Sequence, residues 1–164
     1  NAGSPLVTWG YIVLVFSVLI WFTLKETNNA NWNFLWFGIP VVGWPLSLIR
    51  SKSKKKETTT TFISNMLGNI WIVYGIFATL LATAFAFIKP EFSGYITAVL
   101  LGFAATMTGI VLKNKYITAG GLITGIGCTI AIFFVERWDV ALLFGVAAIL
   151  NLIIPGYVMN KKAK

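Results

Sequence analysis

The chain has 164 residues, of which 57% are hydrophobic and only 11% are charged. Soluble domains carry about 25% charged residues, so this composition excludes an ordinary water-soluble fold and leaves no room for a separate catalytic domain. Histidine is absent and the single cysteine, Cys128, lies in an apolar segment. These counts exclude a disulfide framework within one chain and remove the commonest metal ligand, so we expect no cofactor.

Six apolar segments follow one another along the chain, separated by short polar breaks. A helix rises about 1.5 Å per residue, so about 20 residues cross a hydrocarbon core of about 30 Å. The predicted spans are about 5–24, 32–49, 62–88, 92–112, 117–135 and 138–159. This pattern predicts one all-α domain over residues 1–164, a polytopic transmembrane helix bundle with six spans in three hairpins.

The charges between these segments indicate how the chain is oriented. Alternate connections form two sets, with net charges of +9 and −1 within the formal total of +8. The first set is 50–57, 113–115 and 161–164, and the second is 25–31, 89–91 and 136–139. Cytoplasmic loops collect Lys and Arg. Six spans place the whole basic set on one side, so we predict that both termini are cytoplasmic, whereas five or seven spans would divide it.

The most basic stretch directly follows the second apolar segment. It contains Arg50, Lys52, Lys54, Lys55 and Lys56. In a soluble protein such a run is often a nucleic-acid contact. Beside a membrane helix it sets topology and attracts anionic lipid by about 1 kcal/mol per basic residue. We therefore expect the bilayer as partner at this stretch, and no nucleic acid.

A stripe of small residues runs along the fourth segment. It consists of Gly94, Ala98, Gly102, Ala105 and Gly109, spaced three or four apart and therefore on one helix face. Such faces allow close backbone approach in lipid, which predicts a helix-packing surface. The alternative is that small and polar residues of several helices line a cavity. The pattern leaves open whether the stripe faces its own chain or another copy.

Three amide side chains form a candidate polar cluster. Asn65 and Asn69 share a face near the predicted cytoplasmic end of the third segment, and Asn151 has a similar depth in the sixth. Together they could form a hydrogen-bonded cluster or bind a polar group. They could equally be hydrated residues at the membrane interface.

Three prolines lie within or near the ends of predicted spans. Pro40 and Pro45 each remove a backbone donor and are predicted to kink the second span, and Pro155 is predicted to bend the end of the sixth. Broken helices mark the binding sites of some transporters, although kinks without function are commoner.

Several short motifs carry a resemblance to a known family. They are Trp9-Gly-Tyr-Ile-Val, Trp36-Phe-Gly-Ile-Pro40, Gly43-Trp-Pro45 and the closing Ile154-Pro-Gly-Tyr157 with Asn160-Lys-Lys162. In these motifs the chain resembles a family of bacterial six-helix integral inner-membrane proteins whose role is uncharacterised. The resemblance implies a multi-pass protein of the bacterial inner (plasma) membrane. It brings no activity and no binding residue with it.

The absence of charge inside the spans narrows the function. No Asp, Glu, Lys, Arg or His lies in the middle of a predicted span, which disfavours ion-driven pumps and intramembrane proteases. We expect a non-enzymatic membrane module that acts in sensing or regulation through self-association or another membrane protein. The alternative is a carrier or channel for a small neutral or lipophilic solute. A third hypothesis is a lipid-directed enzyme that uses Asn65, Asn69 and the basic run.

Overall fold

The computed structural model describes residues 4–29, 32, 35–36, 38–53, 62–134 and 139–162. Within these residues the chain is all-helical and contains no strand. The first five helices are α1 (Ser4–Thr27), α2 (Gly38–Ser53), α3 (Phe62–Ile88), α4 (Pro90–Val111) and α5 (Lys115–Ala131). The sixth helix is composed of α6 (Val140–Ala148), a π turn (Ile149–Ile153) and α7 (Ile154–Lys162).

Four of these helices are long and apolar enough to cross a membrane. The qualifying stretches are Leu6–Thr27, Asn65–Ile88, Phe92–Val111 and Val140–Lys161. The other two helices are shorter, with 16 residues in α2 and 17 in α5. Seventeen helical residues span about 26 Å, a few ångströms less than the hydrocarbon core.

Many large apolar side chains lie on the outside of the bundle, and several polar ones lie inside it beside core residues such as Ile20 and Leu101. The buried polar residues include Ser17, Thr108, Thr124 and Asn151, whereas Phe62, Phe87, Phe133 and Phe134 are among the most exposed side chains. In lipid there is no hydrophobic drive to bury Phe or Leu, so close packing and hydrogen bonds hold helices together. This distribution supports a membrane-embedded helix bundle.

The closest packing joins α4 to α5. A Cβ atom placed on Gly102 would lie 2.7 Å from the Gly125 nitrogen and 2.9 Å from the Gly121 carbonyl oxygen. Further along α4, Gly109 lies against Thr118, which precedes Gly121 in the sequence. The contacts therefore pair residues in reverse order, and the two helices run antiparallel.

The turn between α4 and α5 is short and fully bonded. Lys113 adopts a positive φ of 52°, the left-handed conformation that commonly ends helices. The Asn114 amide donates to the Gly109 carbonyl at 2.9 Å, and the Asn114 side chain accepts from the backbone of Tyr116 at 3.0 Å. Asn114 thus ends one helix and caps the next.

The sixth helix runs antiparallel to α1 and parallel to α4. Near one end of α1, the Tyr11 hydroxyl lies 3.1 Å from that of Tyr157, and near the other end Trp21 bonds Asp139. Gly94, near the start of α4, lies against Val140, the first residue of α6. The starts of α4 and of the sixth helix therefore lie at the same end of the bundle.

Helix α2 packs antiparallel to α1. Gly38 lies against Phe16, while Gly43 lies against the Trp9 ring. Where the sequence predicts a span over 32–49, the helix begins only at Gly38 and continues to Ser53. Pro40 falls in the first turn, where its missing N–H leaves no helical acceptor unsatisfied. Pro40 therefore gives no reason for the predicted kink. Of the two prolines, only Pro45 lies in the interior of the helix.

The α4–α5 contact predicts a stability effect for a single glycine. Gly102→Leu should lower the free energy of unfolding in bicelles by about 1–3 kcal/mol, because the side chain would displace the α5 backbone. Gly127→Leu on α5 is the matched control, since nothing lies within 4 Å of a Cβ at that position. Equal stability of the two variants would contradict the packing of α4 against α5.

Candidate functional site

The most buried polar contact between helices joins the sixth helix to α5. The Asn151 Nδ2 atom donates to Thr124 Oγ1 at 2.6 Å and to the Ala147 carbonyl at 2.8 Å. Asn151 is 1% exposed and Thr124 is 4% exposed. In a low-dielectric interior such a bond is strong and an unmet one is unfavourable, so this pair is the polar centre of the bundle.

The orientation of the Asn151 amide follows from its neighbours. The Ala147 carbonyl can only accept a hydrogen bond, so the amide nitrogen must face it and the amide oxygen must point elsewhere. Oδ1 is buried, and none of the protein groups that the structure describes donates to it. A buried oxygen without a hydrogen-bond donor either accepts from a bound molecule or lowers the stability of the fold.

Asn151 lies in the middle of the π turn, which has a local cause. The amide of Ile154 donates to the Ile149 carbonyl, five residues earlier. Pro155 follows, and a proline inside an α-helix would clash with the carbonyl four residues before it. The wider π turn relieves this clash, and such turns are common at functional sites. Where the sequence predicts a bend at Pro155, the structure has a π turn that begins before the proline.

The three amides of the candidate cluster lie in two different environments. Asn151 is buried and bonds α5, whereas Asn65 and Asn69 are exposed on α3. Helix α3 has 27 residues, a length of about 40 Å, which exceeds the hydrocarbon thickness. Counted back from Ile88, Asn69 lies about 28 Å along the helix and Asn65 about 34 Å, so both lie close to or beyond the thickness of a hydrocarbon core of about 30 Å. This arrangement favours hydrated interfacial amides on α3.

The small-residue stripe of α4 is divided between two neighbouring helices. Gly102 and Gly109 contact α5, and Gly94 contacts the first residue of α6. Ala98 and Ala105 are each 1% exposed. Within the part of the chain described, this face packs against the protein's own helices. The sequence left open whether the stripe faces its own chain or another copy, and at these positions it faces its own chain.

The predicted anionic-lipid contacts fall mostly beyond the described structure. Arg50 and Lys52 belong to the last turns of α2. Lys54, Lys55 and Lys56 lie outside the described residues. Contact of these five residues with lipid therefore stays a prediction.

A second polar contact joins α1 to the start of the sixth helix, at the end of α1 opposite to Tyr11. Trp21 Nε1 donates to Asp139 Oδ1 at 3.0 Å, and the Lys25 ammonium lies 4.9 Å from the centre of the Trp21 ring. Asp139 precedes α6 but makes no side-chain bond to cap it. Its carboxylate thus links two helices instead of ending one. Sequence reasoning missed this pair because 118 residues separate its members.

Thr124 and the π turn also escaped the sequence analysis. Thr124 is one of many threonines in apolar segments, and most of those resolved here bond their own helix, as Thr108 does to the Ala104 carbonyl. The only available signal was Pro155 four residues after Asn151. Among the described residues, no group of three or more His, Cys, Asp or Glu side chains could hold a metal ion.

The Asn151–Thr124 bond predicts an energetic coupling between α5 and the sixth helix. A double-mutant cycle with Asn151→Leu and Thr124→Val should give a coupling of about 0.6–1.7 kcal/mol, the range for hydrogen bonds between membrane helices. Unfolding in bicelles would provide the four stabilities. The matched cycle with Asn69→Leu and Thr124→Val should give no coupling, and equal values in both cycles would contradict the assigned bond.

Comparison with known proteins provides no relative. No protein-family model matches the chain, and no curated protein or solved structure is significantly similar to it. Membership of a bacterial inner-membrane family therefore stays a prediction, and the function must be argued from the geometry of the chain itself.

Proposed function

We propose that the chain is a six-span protein of the bacterial inner membrane, with both termini in the cytoplasm, and that it is a non-enzymatic module acting by self-association. The observation that carries the second part is the nearly uncovered α3 helix. The directions of the packed helices and the charges between them support the topology. The topology and the self-association are tested separately.

Helix directions support six crossings. Helix α4 and the sixth helix begin at the same end of the bundle, because Gly94 lies against Val140. The chain must therefore return between them, and α5 lies alongside α4 at the same depth. Helix α1 is antiparallel to the sixth helix, as the Trp21–Asp139 and Tyr11–Tyr157 contacts require. The antiparallel packing of α2 on α1 supports a crossing by α2 as well, which would give three antiparallel hairpins.

Charge supports the same topology. If only the four longest helices crossed, the basic residues after α2 and after α4 would lie on the opposite side from the basic residues after α7. Six crossings put all of them on one side, where the positive-inside rule expects them.

Cysteine accessibility would test this topology. In a Cys128→Ala background, Glu26→Cys should react with a membrane-impermeant maleimide added to intact cells. Lys115→Cys and Lys161→Cys should react only after permeabilisation. All three side chains are exposed, so burial does not limit the reaction. Labelling of Lys115→Cys from outside would contradict six crossings, and the background without cysteine controls for unspecific reaction.

Helix α3 is the least covered of the four long helices. Only 6% of its candidate span is buried, compared with 44% for α4 and 50% for the sixth helix. Its main contact in the described structure is with α4. The other side of α3 is therefore available to lipid or to a second molecule.

The uncovered side of α3 carries a strip of small residues among large apolar ones such as Ile72 and Ile76. No atom lies within 4 Å of a Cβ at Gly68 or Gly75, and the Thr79 and Thr83 hydroxyls bond carbonyls of their own helix. Gly75, Thr79 and Thr83 have the four-residue spacing that allows close backbone approach in membranes. In the same chain, the glycine face of α4 is covered by α5 in this way.

The occupant proposed for this face is α3 of a second copy. Copies inserted in the same orientation can be related by a two-fold axis along the membrane normal, which places two α3 helices in parallel. Each helix then offers the same small residues to the other. A two-fold interface needs a face that complements itself, and small residues flanked by Ile72 and Ile76 would let the two backbones approach there.

Association should be sensitive to Gly75. We expect a dimer in liposomes by single-molecule subunit counting, and Gly75→Leu should weaken it by about tenfold, equivalent to about 1.4 kcal/mol. Gly127→Leu is the matched control, because Gly127 is equally open but lies on α5. A strictly monomeric parent protein would overturn self-association, and co-purification of a different membrane protein on α3 would replace the second copy.

A further inference from the structure

At the interior contact between α5 and the π turn, one buried acceptor receives no hydrogen bond from the described residues. Asn151 Oδ1 is buried, and no described protein group donates to it. The nitrogen of the same amide is fully used by Thr124 and Ala147. The amide is therefore held in one orientation, with its oxygen fixed where a donor is needed.

A second acceptor arises from the π turn itself. Ile154 donates to the Ile149 carbonyl, so the next residue in this pattern would donate to the Leu150 carbonyl. That residue is Pro155, which has no N–H. The Leu150 oxygen faces α5, where a Cβ on Gly120 would lie 3.5 Å from it. Gly120 is one helical turn before Thr124, so both acceptors belong to the same contact.

We propose that the buried Asn151 and Thr124, with the Leu150 carbonyl beside them, form a site between α5 and the π turn that binds one small neutral hydrogen-bond donor, either a water molecule or the hydroxyl group of a solute. A buried acceptor left unsatisfied costs about 1–3 kcal/mol. A donor at this site removes that penalty. A water molecule can supply the donor that Asn151 Oδ1 lacks.

The chemistry of the site selects a neutral ligand. An amide oxygen and a backbone carbonyl are uncharged, and the Thr124 oxygen already receives the Asn151 N–H, which would repel a cation. The ionisable side chains described around the bundle, such as Lys25, Lys115 and Asp139, lie at helix ends. An ion at Asn151 would have no counter-charge in a medium of low dielectric.

Water-edited solid-state NMR can test the site directly. The protein would be reconstituted in deuterated lipid, and proton magnetisation would be transferred from the solvent to the Asn151 side-chain carbon. With protonated water, transfer should be several-fold faster than to Thr108, a buried threonine bonded within its own helix. In heavy water with protonated glycerol as the probe, transfer to Asn151 would identify a hydroxyl solute instead. Transfer no faster than at Thr108 under both conditions would overturn the proposal.

A variant separates the site from general solvent leakage. Asn151→Leu removes the fixed acceptor, so transfer to the Thr124 side chain should fall to the level of Thr108. Asn69→Leu, at an exposed position of α3, should leave it unchanged. Fast transfer to Thr124 that persists in Asn151→Leu would mean that water enters without the proposed site. Because the measurement needs only one protomer, its result does not depend on whether α3 associates.

Discussion

Backbone contact between α4 and α5 is the constraint on which the rest of the bundle depends. Gly102 approaches Gly121 and Gly125 so closely that no side chain could stand between the helices. Lipid offers no hydrophobic reward for helix contact, so attraction has to come from many atoms at short range. With these two helices fixed, α3 has one face of α4 to pack on, and the sixth helix has another.

The same constraint accounts for where polarity is found. Helices that approach closely leave little room for large side chains at the contact itself, so Gly, Ala, Ser and Thr are found there, while Ile20, Leu101 and Phe144 fill the rest of the interior. Most of the hydroxyls observed bond their own backbone, as Ser17 does to the Val13 carbonyl at 2.7 Å. Asn151 differs from these hydroxyls because its side-chain nitrogen also donates to Thr124 on another helix. It does so where the π turn has already disturbed the regular ladder, so the two irregularities share one location.

Periodicity and charge could predict the all-helical fold and the existence of a packing face on α4, because both depend on residue type along a single helix. Which helix packs against that face could not be predicted from the sequence, since glycines recur on several helices. Asn151 was identified from its polarity alone. Its separation from Asn65 and Asn69 depends on helix length and rotation, and its bond with Thr124 depends on how α5 and the sixth helix meet. The bounds of α2 differ from the predicted span of 32–49, because Pro40 is equally compatible with a kink and with the first turn of a helix.

The distance in sequence between α1 and its main partner has a consequence for biosynthesis. Helix α5 can pack on α4 as soon as both are made, because a turn of a few residues joins them. Helix α1 must wait for α6, since Trp21 and Asp139 are 118 residues apart. At a synthesis rate of about 5–20 residues per second, this wait is on the order of 6–24 s. During that interval the Ser17 face of α1 has no α6 to cover it, and α1 has only its contact with α2.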